Sequence, residues 1–301
     1  MKIANTTGDY GKTTLTLEKI LEHLKNAGFR YIDLSLYSIH KGNSEFMSDN
    51  WQEYADKIKN KAGELGLTFV QAHSPGINPL ECTENEVKAM IRSIEICGFL
   101  GIKNTVYHAG WAPEISKEEF FERNREFYRR LIPTMEETGV NVLIENSTKA
   151  NMGDMYYFLT GQDMKEFIEY VGHPQIGACW DTGHANIEGH QYEDLVTLGK
   201  YLKAVHINDN HSMRDDHIMP FLGRMSVDEV MNGLIDAGFG GYFTFEADSS
   251  IISHDHWLGH RRSFEKDTRL ADAPIAVRDK LEEALYLTGE CILKAYDCFE
   301  E

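Results

Sequence analysis

The sequence predicts an α/β protein, a single (β/α)8 TIM barrel spanning residues 1–301, on three observations. Short β-type runs alternate along the whole chain with longer stretches of 3.6-residue apolar spacing. Eight such runs occur, and no repeat, low-complexity tract or linker divides them. Six of them end in a side chain that binds divalent metals: Val70–His73, Thr105–His108, Val140–Glu145, Ile176–Asp181, Ala204–His206 and Tyr242–Glu246. In a barrel of parallel strands the exits all meet at one face, so these groups converge. A doubly wound open sheet gives the same alternation with fewer strands; strand count and ligand placement favour the barrel.

The expected strands are Lys2–Thr6, Tyr31–Leu36, Thr68–His73, Asn104–His108, Asn141–Glu145, Gln175–Asp181, Ala204–Ile207 and Tyr242–Glu246. Eight helices are expected to alternate with them, clearest at Leu15–Asn26, Trp51–Leu65, Glu84–Phe99 and Lys117–Thr138. Gly28, Gly66, Gly101, Gly139 and Gly238 stand just before the next strand, where left-handed helix stops are expected. Ser226 and Glu229 have the spacing of a capping box that opens the seventh helix. Three connections are long, 146–161, 208–225 and 247–274. All three follow strand exits, and long loops tend to carry function.

Composition narrows the class. A net charge of −18, from 48 acidic and 30 basic residues, weighs against a nucleic-acid partner held by phosphate neutralisation. Five cysteines are too few, and odd in number, for a disulfide framework, so a reducing cytoplasmic setting is expected. The chain enters a strand-like run at Lys2 without an export signal, and no apolar stretch approaches membrane-spanning length.

Glu145, Asp181, His206 and Glu246 stand at the exits of strands five to eight. Each alone reads as readily as a satisfied polar strand end. Together they would repel one another without a cation. Three carboxylates and an imidazole suit one divalent ion, Mn2+ first, with Mg2+, Co2+ or Zn2+ as alternatives. His73, His108 and His184 form a second set, and Asp215 and His217 of the seventh loop are further metal-ligand candidates together with His184. His73 and His108 are read as partners of substrate or of a neighbouring carboxylate ahead of metal ligation. A sharp turn at Gly183 is expected to bring His184 back beside Asp181.

The segments Ala72-His73-Ser74-Pro75, His108-Ala109-Gly110, Ile144-Glu145-Asn146, Trp180-Asp181-Thr182-Gly183-His184, His206-Ile207-Asn208-Asp209, Asp215-Asp216-His217 and Phe245-Glu246 carry a resemblance. The chain resembles the xylose isomerase-like barrels, a superfamily of sugar isomerases, ketose 3-epimerases, inosose dehydratases and endonuclease IV-type DNA repair enzymes. The likeness runs from strand three to strand eight. It implies that Glu145, Asp181, His206 and Glu246 form the shared mononuclear site, that the two glutamates transfer protons on opposite faces of a bound sugar, and that His184 contacts substrate. In the repair enzymes nine ligands hold three zinc ions. All nine types have counterparts here: His73, His108, Glu145, Asp181, His184, His206, Asp215, His217 and Glu246. Two departures stand out. Pro220-Phe221-Leu222-Gly223 occupies the place where the sugar enzymes usually read Pro-Gly-x-Gly, and Asn5–Tyr10 lacks the His-rich, Gly-rich opening of the repair enzymes.

The leading expectation is a divalent-metal-dependent sugar (or sugar phosphate) isomerase or epimerase working through a metal-bound enediolate, with Glu145 and Glu246 as its catalytic pair. His108 and His184 are expected to orient hydroxyls, and His73 to bind substrate. Tyr37, Trp111 and Trp180 are candidate apolar walls for a sugar ring, and Arg261 with Arg262 is a candidate clamp for a phosphate. A dehydratase or lyase acting on an oxo-sugar or inosose begins with the same proton abstraction and stays open. So does an endonuclease IV-type zinc phosphodiesterase acting on abasic DNA, against which the acidic charge weighs. The expected partner is a small carbohydrate, with neither membrane nor nucleic acid. A homo-oligomer also stays open: the segment after Glu246, with Trp257, Phe264 and Leu270, would cap the site, pack on a second subunit or form a surface loop.

Overall fold

The computed structural model describes residues 1–11, 13–189, 191–251 and 272–301. Strands β1 (Lys2–Thr6), β2 (Tyr31–Ser35), β3 (Thr68–His73), β4 (Asn104–Tyr107), β5 (Asn141–Glu145), β6 (Ile176–Asp181), β7 (Leu202–His206) and β8 (Tyr242–Phe245) form one parallel sheet. Its order is β7-β6-β5-β4-β3-β2-β1-β8. The two edges meet just past their ends, where Ile207 bridges Phe245 in parallel and its N–H donates to Thr244 O at 2.8 Å. The sheet is thus a nearly closed barrel, joined at the end where the ligand candidates stand. His108 and Glu246, expected as last strand residues, sit one position beyond β4 and β8.

Around it lie α1 (Leu17–Ala27), α2 (Trp51–Leu65), α3 (Glu84–Leu100), α4 (Lys117–Thr138), α5 (Lys149–Met152), α6 (Gly161–Val171), α7 (Thr182–Glu188), α8 (Tyr192–Leu198), α9 (Val227–Asp236) and α10 (Ile275–Ala295). The helical count therefore exceeds the expected eight: the loop after β5 carries the short α5, and two helices, not one, connect β6 to β7. The glycine stops are found, with Gly28, Gly66, Gly101 and Gly139 left-handed at the ends of α1 to α4. Ser226 Oγ accepts from Glu229 N at 3.3 Å, half of the expected capping box. The reciprocal pair forms instead at Thr83 and Glu86, before α3. Among the described residues no helix is long and apolar enough to cross a membrane.

Strand alternation divides the apolar side chains into two bodies. Ile144, Trp180, Val205 and Phe245 belong to the large core between sheet and helices. Val106, Leu143, Cys179 and Ala204 form a separate buried cluster. Each of these four lies two residues before His108, Glu145, Asp181 or His206, on the same face of its strand. They make an apolar floor inside the barrel directly beneath the polar mouth.

Two register shifts adjust what that mouth displays. Ile32 pairs with Phe69 but Asp33 with Gln71, leaving Val70 as an extra residue in β3. Ala178 pairs with Leu202 but Cys179 with Ala204, leaving Lys203 extra in β7. Bulges of this kind re-aim side chains beside functional sites. Here they set Gln71 beside Asp33 and His206 beside Asp181.

A second polar cluster links β1 to α10. Asn5 Nδ2 donates to Asp9 Oδ2 at 2.8 Å and to Glu282 Oε2 at 2.7 Å, and all three side chains are buried. Arg278 spans the same region, donating to Asp9 O at 3.0 Å and Asp248 O at 3.4 Å. Burial, then the charges of Glu282 and Asp248, hold the Asp9 carboxyl well above its ordinary range. Burial lifts Glu282 to about 7, against the hydrogen bonds of Asp9 and Asn5 and the charge of Arg278. Raised acids stabilise the fold fully below their unfolded pKa, and that contribution is lost as pH rises through the folded value. The melting temperature should therefore fall from about pH 4.5 to just above pH 7 and level off beyond it. Glu282→Gln should reduce that fall, by an effect on the order of 2 kcal/mol at pH 8.5 measured by calorimetry. An equally steep fall in the variant would exclude the pair as its source.

Candidate metal centre

Glu145 and Asp181 end β5 and β6, His206 ends β7, and Glu246 follows β8, so all four project into the mouth. One ligand atom from each lies within 4.8 Å of the others. His206 Nδ1 is 2.5 Å from Glu145 Oε1 and 3.2 Å from Glu246 Oε2. Glu145 Oε2 faces the other way, 3.5 Å from both His73 Nε2 and His108 Nε2. His73, His108 and Glu145 thus make a second group of the same tightness, sharing Glu145 with the first. A third group is His184, Asp215 and His217: Asp215 Oδ2 lies 3.0 Å from His184 Nε2 and 3.0 Å from His217 Nε2.

Amides hold this array in place. Asn146 clamps the Asp181 backbone from both sides, donating to its carbonyl at 2.9 Å and accepting from its N–H at 2.7 Å. Asp181 Oδ1 caps α7 through His184 N at 2.7 Å, and Asn208 donates to Oδ2 at 2.7 Å. Asn151 of α5 donates to Asp215 Oδ2 at 2.7 Å. Asp209 organises the long loop 208–225, accepting from Gly223 N at 3.0 Å and Met225 N at 2.8 Å. Within that loop Leu222 N donates to Met219 O at 3.1 Å, closing a turn around Pro220 and Phe221. Phe221 holds a left-handed φ of 76° at a position that favours glycine, and its ring is exposed.

Burial is the largest influence on every acid and imidazole here, and it always opposes charge. At His108 burial prevails over Glu145 and the pKa falls to about 4. At His184 Asp181 and Asp215 overcome it and lift the pKa to about 10. His206 and His217 are likewise raised, His206 by Cys179, Glu246 and Glu145, His217 mainly by Asp215. Burial lifts Asp181 to about 6 in spite of His184 and His217. Glu246 is drawn down to about 2, against burial, chiefly by His206. The charge of His206, with hydrogen bonds from His206 and His73, holds Glu145 well below its usual range, again against burial. The acids therefore depend on protonated imidazoles for compensation. A divalent cation suits the same donors. Among the described residues Glu145 Oε2 and Asp215 Oδ1 are buried without a hydrogen-bond partner, which fits the residues to a metal.

The structure brings together His73, His108, Glu145, Asp181, His184, His206, Asp215, His217 and Glu246. Tyr37 stands at the rim, its exposed ring 5.6 Å from that of His73. One expected wall is corrected. Trp180 is fully buried in the outer core, its indole donating to Gln191 Oε1 at 3.0 Å, because position 180 points away from the barrel axis. Trp111 is half-buried, with one side packed against that same core. Arg261, Arg262, Trp257, Phe264 and Leu270 lie outside the described residues. The expected turn at Gly183 is also corrected: α7 runs through it and its φ is not positive. Glycine is needed there for room, since a Cβ would meet Asn208 Oδ1 at 1.8 Å. Sequence reasoning missed Asp33 and Gln71 as site residues. Gln71 lies two positions before His73 and Asp33 is its register partner, so the period of two was the available signal.

The fold and this mouth define an α/β barrel with a clustered histidine–carboxylate site. The family model described as xylose isomerase-like TIM barrel matches residues 21–267, and the chain belongs to that family. An uncharacterized protein of Sinorhizobium fredii is 24% identical over 300 residues, covering 86% of this chain and 90% of its own length. The D-psicose 3-epimerase of Ruminiclostridium cellulolyticum is 28% identical over 133 residues, 44% of this chain and 43% of that protein. A probable endonuclease 4 of Aquifex aeolicus is 27% identical over 184 residues, 53% of this chain and 60% of its own. The solved structure of D-psicose 3-epimerase from Clostridium cellulolyticum H10 with D-tagatose has a TM-score of 0.72, covering 97% of this chain and 99% of that one at 17% identity, a likeness of fold.

Gly183→Ala should displace Asn208, free Asp181 Oδ2 and cost about 2–3 kcal/mol of stability. Denaturant unfolding of the metal-free chain checks this; wild-type stability would show that the loop absorbs the methyl group.

Proposed function

We propose that the protein is a divalent-metal-dependent isomerase or epimerase acting on a sugar, phosphorylated or not. The observation that carries this reading is the convergence of Glu145, Asp181, His206 and Glu246 within 4.8 Å at one barrel mouth. These four residues would hold the ion, with Mn2+ preferred for the hard donor set. When bound, the cation would polarise a carbonyl and the neighbouring hydroxyl, lowering the barrier to removing the intervening proton.

Glu246 is only half-buried, whereas Glu145 is buried among three imidazoles. Glu246 is thus the carboxylate open to substrate and the first candidate for the proton-removing base. Glu145 is the candidate for the opposite face. His108, which burial keeps neutral, and His184 are suited to orient hydroxyls, with Tyr37 offering a ring at the rim. The epimerase names among relatives and solved structures support this substrate class. A dehydratase or lyase would use the same proton abstraction and differ in the leaving group.

A second reading has a specific observation in its favour. Besides Glu145–Cys179–His206, which shares two ligands with the first, two further groups, His73–His108–Glu145 and His184–Asp215–His217, are as tight as the first. Three such groups suit three zinc ions and phosphodiester cleavage at abasic DNA, as does the match to endonuclease 4. The net charge of −18 weighs against a duplex partner.

Elemental analysis of the purified protein separates the two. One ion per chain is expected for carbonyl chemistry, three for the phosphodiesterase. In a screen of ketoses and aldoses, Glu246→Gln should lower kcat by at least about 10³-fold while the fold is kept. Unchanged turnover would remove Glu246 from the catalytic pair.

A further inference from the structure

We infer that Asp33 is the positioning residue that makes His206 a metal ligand, by accepting a hydrogen bond from Nε2–H and thereby presenting Nδ1 to the ion. The inference rests on the proposed metal site and adds to it a residue from strands that hold none of its four ligands. The two ring nitrogens of His206 have opposite surroundings. Nδ1 faces Glu145 and Glu246, the ligand side. Nε2 faces Gln71 Nε2 at 2.9 Å and Asp33 Oδ2 at 3.5 Å. An imidazole that binds a cation through Nδ1 carries its hydrogen on Nε2, and that hydrogen needs an acceptor.

The Gln71 amide nitrogen is no such acceptor. It is a donor: of its two hydrogens one goes to Asp33 Oδ2 at 2.7 Å, and the other, 2.9 Å from His206 Nε2, can meet only a bare Nε2 and turns aside once the ion holds Nδ1. Turning the amide over does not help, since it would bring two acceptor oxygens to that same 2.7 Å. The carboxylate of Asp33 is the acceptor left. Its Oδ2 lies 3.5 Å from Nε2, a separation that binding through Nδ1 would have to shorten, and its Oδ1 has no hydrogen-bond partner among the described residues. Asp33, Gln71 and His206 are 1%, 3% and 1% exposed, so bulk water does not compete for these positions. A carboxylate buried with a single amide donor is undersupplied, and the imidazole N–H is the second donor it lacks.

The fold builds the pair deliberately. The extra residue Val70 in β3 sets Gln71 level with Asp33, and the same face of β3 continues to His73. The amide then holds one carboxylate oxygen in place from the side, while the imidazole approaches from across the barrel.

The test is Mn2+ binding to the metal-stripped full chain by titration calorimetry, with circular dichroism confirming the fold of each variant. Asp33→Leu should lose roughly 10–100-fold in affinity, the usual effect of removing such a partner. Asp33→Asn, whose amide oxygen still accepts, should fall between. Gln71→Leu perturbs the same packing but keeps the acceptor, and should bind as the wild type does. Nitrogen-15 spectra of the Zn2+-loaded protein supply a readout that packing alone does not move: the His206 hydrogen should sit on Nε2 in the wild type. Wild-type affinity in folded Asp33→Leu, an equal loss in Gln71→Leu, or a hydrogen on Nδ1 in the loaded protein each overturns the inference while leaving the metal site intact. Should Asp33→Leu not fold, Asp33→Asn and the spectra decide. A wild-type chain that binds no ion at His206 overturns the metal reading itself, and this inference with it.

Discussion

Charge compensation among side chains carried into one barrel mouth is the constraint on which the rest of the structure depends. Glu145, Asp181 and Asp215 are almost wholly buried and Glu246 partly so, within a cluster only a few ångströms across. Two like charges 4 Å apart repel by about 4 kcal/mol at an effective dielectric near 20, a large share of a domain's net stability. The chain answers with interleaved imidazoles and with amides that satisfy what the imidazoles do not reach. Asn151 and Asn208 each donate to a carboxylate of this cluster at 2.7 Å. The metal proposed for the site would do the same work with one ion, so that binding and compensation are a single event.

The apolar part of the barrel serves that arrangement. Val106, Leu143, Cys179 and Ala204 put a dry layer under the ligands. A low-polarity floor strengthens every electrostatic contact above it and denies water a route from below. It also lets the outer core, which includes Trp180 and Phe245, be packed independently of the chemistry. A substitution among the outer residues acts on stability, while one on the inner face acts on the site.

Much of this was legible in the residues. Alternation and helix spacing identified eight strands to within a residue or two, because a strand buried on both faces leaves a short apolar run that few other structures share. The ligand groups were visible for the same reason: a carboxylate at the end of such a run has nowhere to point but the mouth. What sequence hid was distance and direction. Nothing in Trp180 distinguishes an outward ring from a substrate wall until the register of β6 is known. Gly183 looked like a turn because glycine often is one; the reason for it, a clash with Asn208, involves a residue 25 positions away. Asp33 and Gln71 were overlooked because their partner His206 is carried by a strand on the other side of the barrel.

The two extra residues, Val70 and Lys203, also bear on how such a chain can change over generations. Surface loops accept added or lost residues with small effects on the whole. Losing the extra residue at either bulge would leave Phe69 and Gln71, or Leu202 and Ala204, consecutive opposite their present partners, so the faces would be kept, whereas a residue lost elsewhere in a strand would exchange the faces beyond it. Within the strands, length is therefore held tightly everywhere except at these two positions, where one residue can go without turning a ligand away from the mouth. Variation in reaction or substrate must then come through the long connections above the mouth, where length is free and the register of the strands is not at stake.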